Sequence, residues 1–152
     1  MSVLLAALLV MGGCSKGADE NEPGRQGSIP AVSGDREIAM TLYIDDREVP
    51  VIWENNDSVA ELEDLASGEL IIPMSMYGGF EQVGDIGHSI TSDDSDITTA
   101  AGDIVLYSDD QIVIFYGSNS WSYTRLGKVD LEADELTDLL ANGDVTLRLT
   151  AE

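Results

Sequence analysis

Met74-Ser75-Met76-Tyr77-Gly78-Gly79-Phe80-Glu81-Gln82-Val83-Gly84-Asp85 is the stretch on which the reading of the fold turns. Two adjacent glycines let the backbone turn sharply, or enter positive φ, directly after the strand-like run Leu70 to Met76. Phe80 and Gln82 are then presented beside large, soft side chains.

Outward from that segment the chain reads as a succession of short strands. Ile38 to Ile44 and Val49-Pro50-Val51-Ile52-Trp53, joined by Asp45-Asp46-Arg47-Glu48, form a hairpin. Asn56-Asp57-Ser58 caps a helix in which Ser58 and Glu61 make a capping box, with Val59, Leu62, Leu65 and Ala66 on one face and Gly68 at the end. Ser89 to Thr99 is a polar loop. Gly102 to Tyr107 and Gln111 to Tyr116 are β-branched runs around the turn Ser108-Asp109-Asp110, hence a second hairpin. Ser120 to Leu126 is a further strand. Asp130 to Ala141 is a second helix, apolar at Leu131, Leu136, Leu139 and Leu140, with acids in its first turns where the helix dipole favours them. Gly143 to Thr150 closes the domain with Val145, Leu147 and Leu149 alternating.

About eight strands and two helices is too strand-rich, and alternates strand with helix too little, for a parallel sheet. Periodicity alone leaves a barrel and a sandwich both open.

The order Gly79-Phe80, Gln82, Gly84-Asp85 resembles the Gly-Phe…Gln-Gly-Gly-Asp segment that lines the active groove of cyclophilins. Leu126-Gly127-Lys128-Val129 resembles their Phe-Gly-Lys-Val turn, and Glu37 to Thr150 as a whole is similar to the small bacterial cyclophilin-like domain. The resemblance implies a mainly β fold: a closed, antiparallel cyclophilin-like barrel capped by two helices. In cyclophilins an arginine five positions before the groove phenylalanine polarises the prolyl amide. Here that position holds Ser75, and the segment is one residue shorter between Phe80 and Gly84. A serine hydroxyl is a weak substitute for a guanidinium with five donors against a rotation barrier near 20 kcal/mol. The expectation is therefore a binding module, with a peptidyl-prolyl isomerase acting on exported proteins as the alternative and a structural lipoprotein without a ligand as a third reading.

The N-terminal residues carry a different signal. Val3 to Met11 is apolar and is followed by Gly12-Gly13-Cys14. The run is too short for a bilayer, which needs about 20 residues, and has the length of a signal-peptide core. A cysteine after small residues resembles the lipobox of bacterial lipoproteins, so residues 1–13 read as a signal peptide and Cys14 as the lipidated residue. Cys14 is the only cysteine, which rules out an intrachain disulfide. Residues 14–35, rich in Gly, Ser, Pro and charge, read as a flexible tether spanning about 25 Å. Residues 36–152 read as the domain. The expected location is extracytoplasmic, lipid-anchored to the bacterial cell membrane.

The formal net charge is −22, from seven basic and 29 acidic residues. A field of that sign repels nucleic acid and anionic membrane surfaces, and it fits a carboxylate-rich surface adapted to high salt.

Candidate sites narrow quickly. His88 is the lone histidine and reads as a loop residue near the groove rim. Zinc needs several Cys or His, and Asp93-Asp94-Ser95-Asp96 lacks the glycine and distal glutamate of an EF-hand loop, so neither a metal nor another cofactor is expected. Met74, Met76, Tyr77, Phe80, Tyr116, Trp121 and Tyr123 fall in three segments that the resemblance brings together. Aromatic and Met-rich concave surfaces suit extended peptides or small apolar ligands. The expected groove is built from Met74, Met76, Tyr77, Phe80, Gln82 and Trp121. Arg125 is its one cation, free to bind a ligand carboxylate or to pair with an acid of the scaffold.

Overall fold

A computed structural model describes residues 36–152, which form one compact unit. The expected signal peptide (1–13), the expected tether (14–35) and the lipidation expected at Cys14 lie outside the described residues.

The first hairpin forms from β1 (Met40–Ile44) and β2 (Arg47–Val49), but with a tighter turn than expected: Arg47 and Glu48 belong to β2, and Val51–Trp53 leaves the hairpin to pair with another strand. Asp45 and Asp46 both take positive φ, the geometry of a two-residue turn whose twist matches its strands. On its other side β1 pairs with β11 (Thr146–Ala151), and β11 pairs with β4 (Leu70–Pro73). The result is a four-stranded sheet, β2-β1-β11-β4.

The second sheet starts where the first stops. Pro50 has no N–H to donate and interrupts the ladder between β2 and β3 (Val51–Trp53). Met74 interrupts it between β4 and β5 (Ser75–Tyr77), its N–H donating to the Val145 carbonyl at 2.8 Å. Both edge strands of the first sheet therefore run on into edge strands of the second. β5 turns into β6 (Glu81–Asp85), and β8 (Asp103–Tyr107) turns into β9 (Gln111–Phe115). With β10 (Ser120–Val129) they give the order β3-β10-β8-β9-β6-β5, antiparallel throughout.

The expected closed barrel is corrected here. Among the described residues eleven strands make two open antiparallel sheets, because the ladder breaks at Pro50 and Met74 and the chain bends from one sheet into the other at both corners. Two local expectations also change. Ser95–Thr98 within the supposed polar loop is a strand, β7, paired with the first half of β10. Its side chains are mostly polar and exposed, so no apolar pattern announces it. Leu126-Gly127-Lys128-Val129 is not a turn but the last part of β10, with Gly127 opposite Trp53 and a register shift between Arg125 and Gly127.

Helix α1 (Asp57–Leu65) is capped by Asn56, whose Oδ1 accepts from Val59 N at 2.9 Å. The Ser58–Glu61 capping box does not form. Ser58 Oγ donates to the Thr91 carbonyl at 2.5 Å, and the Glu61 carboxylate accepts from the Thr91 amide at 3.0 Å and from its hydroxyl. These bonds hold Glu61 below the usual carboxylate range. Helix α2 (Ala133–Leu140) starts later than periodicity implies, and before it the Asp130 N–H is bound to the Pro50 carbonyl at the sheet corner.

The main core lies between the sheets, where Leu42, Ile44, Leu147 and Leu149 meet Ile104, Leu106, Ile112 and Ile114. Val59 and Leu62 of α1, with Leu136 and Leu140 of α2, complete it. Val105, Val113, Phe115 and Tyr123 alternate with those residues along the second sheet. They form a separate cluster on its opposite face.

Candidate functional site

That opposite face carries the site. The cross-strand partners Tyr77 and Glu81, Val83 and Val113, and Tyr107 and Gln111 bring one layer of side chains into register on β5, β6, β9 and β8. Above them a cavity of about 330 Å³ opens. Tyr77, Tyr107, Trp121 and Tyr123 wall it, and Val83 and Val113 form its apolar floor. The polar groups reaching it are Glu81, Gln111 and Asn119.

The aromatic residues are mutually braced. Phe80 stacks on Phe115 with centroids 6.4 Å apart and planes within 4°. Phe115 meets Tyr123 edge-on at 5.7 Å, and Tyr123 meets Tyr107 edge-on at 6.0 Å. Such pairs add to the stability that burial alone supplies. Asn119 Nδ2 donates to the Tyr123 hydroxyl at 2.9 Å, which fixes the phenol at the cavity wall. Burial raises the Tyr123 pKa, the Asn119 bond opposes this, and the nearby Glu81 carboxyl adds to the rise. Trp121, 59% exposed, also borders a shallower depression of about 480 Å³ beside Asp96 and Thr98.

Glu81 is the chemically unusual member. Its side chain is buried to 7% exposure, and its Oε2 has no hydrogen-bond partner. Neither lysine, arginine nor histidine is among the residues lining the cavity. Desolvation without a compensating charge pushes its pKa from 4.5 up to about 7. A carboxyl poised between neutral and ionised is therefore held against aromatic rings.

The residues singled out from sequence separate into four groups. Tyr77 and Trp121 line the cavity. Phe80 lies beneath, packed half-buried against the Phe115 cluster, and its carbonyl accepts from the amides of Tyr116 and Gly117. Met74 and Gln82 are turned to the other side of the sheet. Met74 is in the main core, where the absence of a side chain at Gly84 leaves room for its sulfur. Gln82 is 0% exposed and donates through Nε2 to the carbonyls of Leu140 and Gly143, both at 2.7 Å. Met76 is opposite Gln82 in the ladder and outside the cavity lining. Arg125 lies outside the cavity lining as well. It takes the scaffold role left open above, its Nη1 3.1 Å from Asp103 Oδ2 while Lys128 Nζ is 3.4 Å from Oδ1.

Sequence reasoning passed over Glu81, Tyr107, Gln111 and Asn119. The available signal was an acid set inside an otherwise apolar strand, and 29 acids along the chain hid it. His88 is an exposed loop residue outside the cavity lining. Among the described residues no three His, Cys, Asp or Glu side chains are grouped to hold a metal ion, and no helix is long and apolar enough to cross a membrane.

No curated protein and no solved structure matches the chain. The model of the cyclophilin-like family does, over residues 42–150, a span running from β1 through β11 and including every residue of the cavity. With antiparallel sheets, two helices and that match over most of its length, the chain belongs to the cyclophilin-like family.

Proposed function

We propose that this protein is an extracytoplasmic binding module, anchored to the membrane through lipid on Cys14, that takes an extended peptide or a small ligand in the cavity before Glu81. One observation carries the reading: an aromatic-walled concavity of about 330 Å³ lined by a glutamate whose carboxyl has no protein partner. A few polar groups converging in an apolar pocket are the usual build of a ligand site. Edge strand β5 is exposed along its length beside the cavity, with its Met76 N–H already bound to Asp144 Oδ1 at 3.0 Å, so an incoming peptide would be held by side chains of the cavity rather than by strand addition. The cavity lining holds no arginine or lysine to donate to a prolyl nitrogen, and Ser75 is exposed on β5. That favours binding over isomerisation. The net charge of −22 keeps nucleic acid outside the set of partners.

The test is a panel of short unstructured peptides and of aromatic and aliphatic fragments, titrated into isotope-labelled protein. Saturable shifts should centre on Tyr77, Val83, Val113 and Trp121 and disappear in Trp121→Ala. Shifts scattered over the surface, or none, would remove the cavity from the account. Mass spectrometry of the mature N-terminus decides the anchor, since an unmodified Cys14 means no lipid holds the domain at a membrane. Proline isomerisation in a coupled peptide assay should stay at background. Turnover that vanishes in Phe80→Ala would restore the enzymatic reading.

A further inference from the structure

We infer that the cavity selects an organic cation, an alkylated ammonium group, held against the faces of Tyr77, Tyr107, Trp121 and Tyr123 with the Glu81 carboxylate as its counter-charge. The inference rests on the cavity being a ligand site and names the chemistry of what enters it.

Three observations converge. First, the walls are aromatic on several sides, and π-faces attract cations, with tryptophan the strongest and tyrosine next. Alkylated ammonium ions, weakly hydrated and apolar at their rim, gain most from such a cage. Second, the one acid in the cavity has no partner. The ionisable groups lining it are Glu81, Tyr77, Tyr107 and Tyr123, so no protein cation competes for the carboxylate. Glu81 lines the cavity while its Oε2 is buried and unbonded, so the carboxyl has no protein partner and a cation in the cavity would supply its countercharge. Third, the chain carries a net charge of −22, which concentrates cations near its surface and excludes anions. An anionic ligand would meet all three as penalties. A neutral one would use the rings and leave the carboxyl without a countercharge.

Protonation links to binding in a defined direction. Free Glu81 titrates near pH 7 because it is desolvated and unpaired. A cation beside it favours the ionised form, so binding expels a proton below pH 7 and tightens as pH rises. The ionised fraction climbs about tenfold between pH 6 and pH 8, and affinity should follow it. The ammonium can belong to a free amine or to a lysine side chain offered by an extended peptide, and the recognition chemistry is the same for both.

The experiment titrates the full chain, isotope-labelled, in moderate salt. The probes are choline, its neutral carbon isostere 3,3-dimethylbutanol, free trimethyl-lysine and a capped trimethyl-lysine pentapeptide. Choline should shift the Trp121 indole and the Glu81 amide saturably and bind about tenfold tighter at pH 8 than at pH 6. The isostere should bind at least several-fold more weakly. Glu81→Gln should remove both the pH dependence and the preference for charge. Trp121→Leu, at an exposed position that leaves the fold intact, should remove the preference while keeping an apolar surface. A pentapeptide that outbinds free trimethyl-lysine points to a peptide source, and equal binding points to a free amine. Equal binding of choline and its isostere, unchanged in Glu81→Gln, overturns the cation inference while leaving the cavity as a ligand site. Silence toward choline with fragments still binding has the same meaning. Silence toward both overturns the cavity reading itself.

Discussion

Glu81 and Gln82 are consecutive residues of β6 that face opposite sides of one sheet, and each is buried for a different reason. The Gln82 amide grips the carbonyls of Leu140 and Gly143 and ties the end of α2 to the second sheet. The Glu81 carboxyl, one residue earlier, lines the cavity with Oε2 unbonded. A strand's alternation thus puts the scaffold on one side of β6 and the candidate site on the other.

Gln82→Leu should therefore destabilise the domain without touching the cavity wall. It strands two carbonyls that Nε2 now satisfies, at a loss of about 2–4 kcal/mol. Urea melts report the loss, and fragment binding to the refolded variant should be unchanged. A variant as stable as the parent would mean that the α2 end finds other partners.

Glu81 makes stability depend on pH in a known direction. The folded chain holds this proton up to about pH 7, whereas an ordinary carboxyl releases it near 4.5. Between those values the folded state binds more protons, so the contribution is full below pH 4.5, falls as pH rises to 7 and is flat above. Glu81→Gln should gain on the parent across that window by about 1–2 kcal/mol, less than the full shift implies because the cavity admits water. Thermal melts at pH 4.5, 6 and 8 check it, and parallel curves for the two proteins would show that Glu81 titrates normally.

Gly78 and Gly79 both sit at positive φ, at 63° and 76°, but in different surroundings. A Cβ at Gly78 would lie 2.3 Å from Phe80 Cε1, whereas one at Gly79 meets nothing within 4 Å. Gly79→Ala should lose about 1 kcal/mol from backbone conformation alone, and Gly78→Ala about 2–3 kcal/mol because the Phe80 ring must also move. Phe80→Ala should lose about 2–3 kcal/mol, short of a fully buried phenylalanine, since its ring is half-buried on Phe115. Equal losses for the two glycine variants would contradict this packing of Phe80.

Salt should stabilise the protein. With a net charge of −22, self-repulsion is screened as the Debye length falls from about 10 Å at 0.1 M to about 3 Å at 1 M. The melting temperature should rise steadily with NaCl. A flat profile would mean that the acids are already dispersed or paired, as Glu63 is with Arg36 and Asp103 with Arg125 and Lys128.

Local order was legible in the sequence wherever one short-range rule dominated. The alternation of Val145, Leu147 and Leu149 marked β11, and all three are buried. Polar turn residues marked both hairpins, where Asp45, Asp46, Ser108 and Asp109 take positive φ. The Gly78-Gly79 pair marked the turn that delivers Phe80. The chain by itself also determined the mainly β class and the net charge of −22. Period two, however, says only that a strand has two faces, not which of them meets the main core. That choice placed Gln82 under α2, Met74 in the core and Glu81 in the cavity. It depends on how the chain bends at Pro50 and Met74 and on which strands then pair. Those pairings join residues far apart in sequence, Glu81 with Phe115 and Tyr123 with Ser95, so only the tertiary structure could decide them.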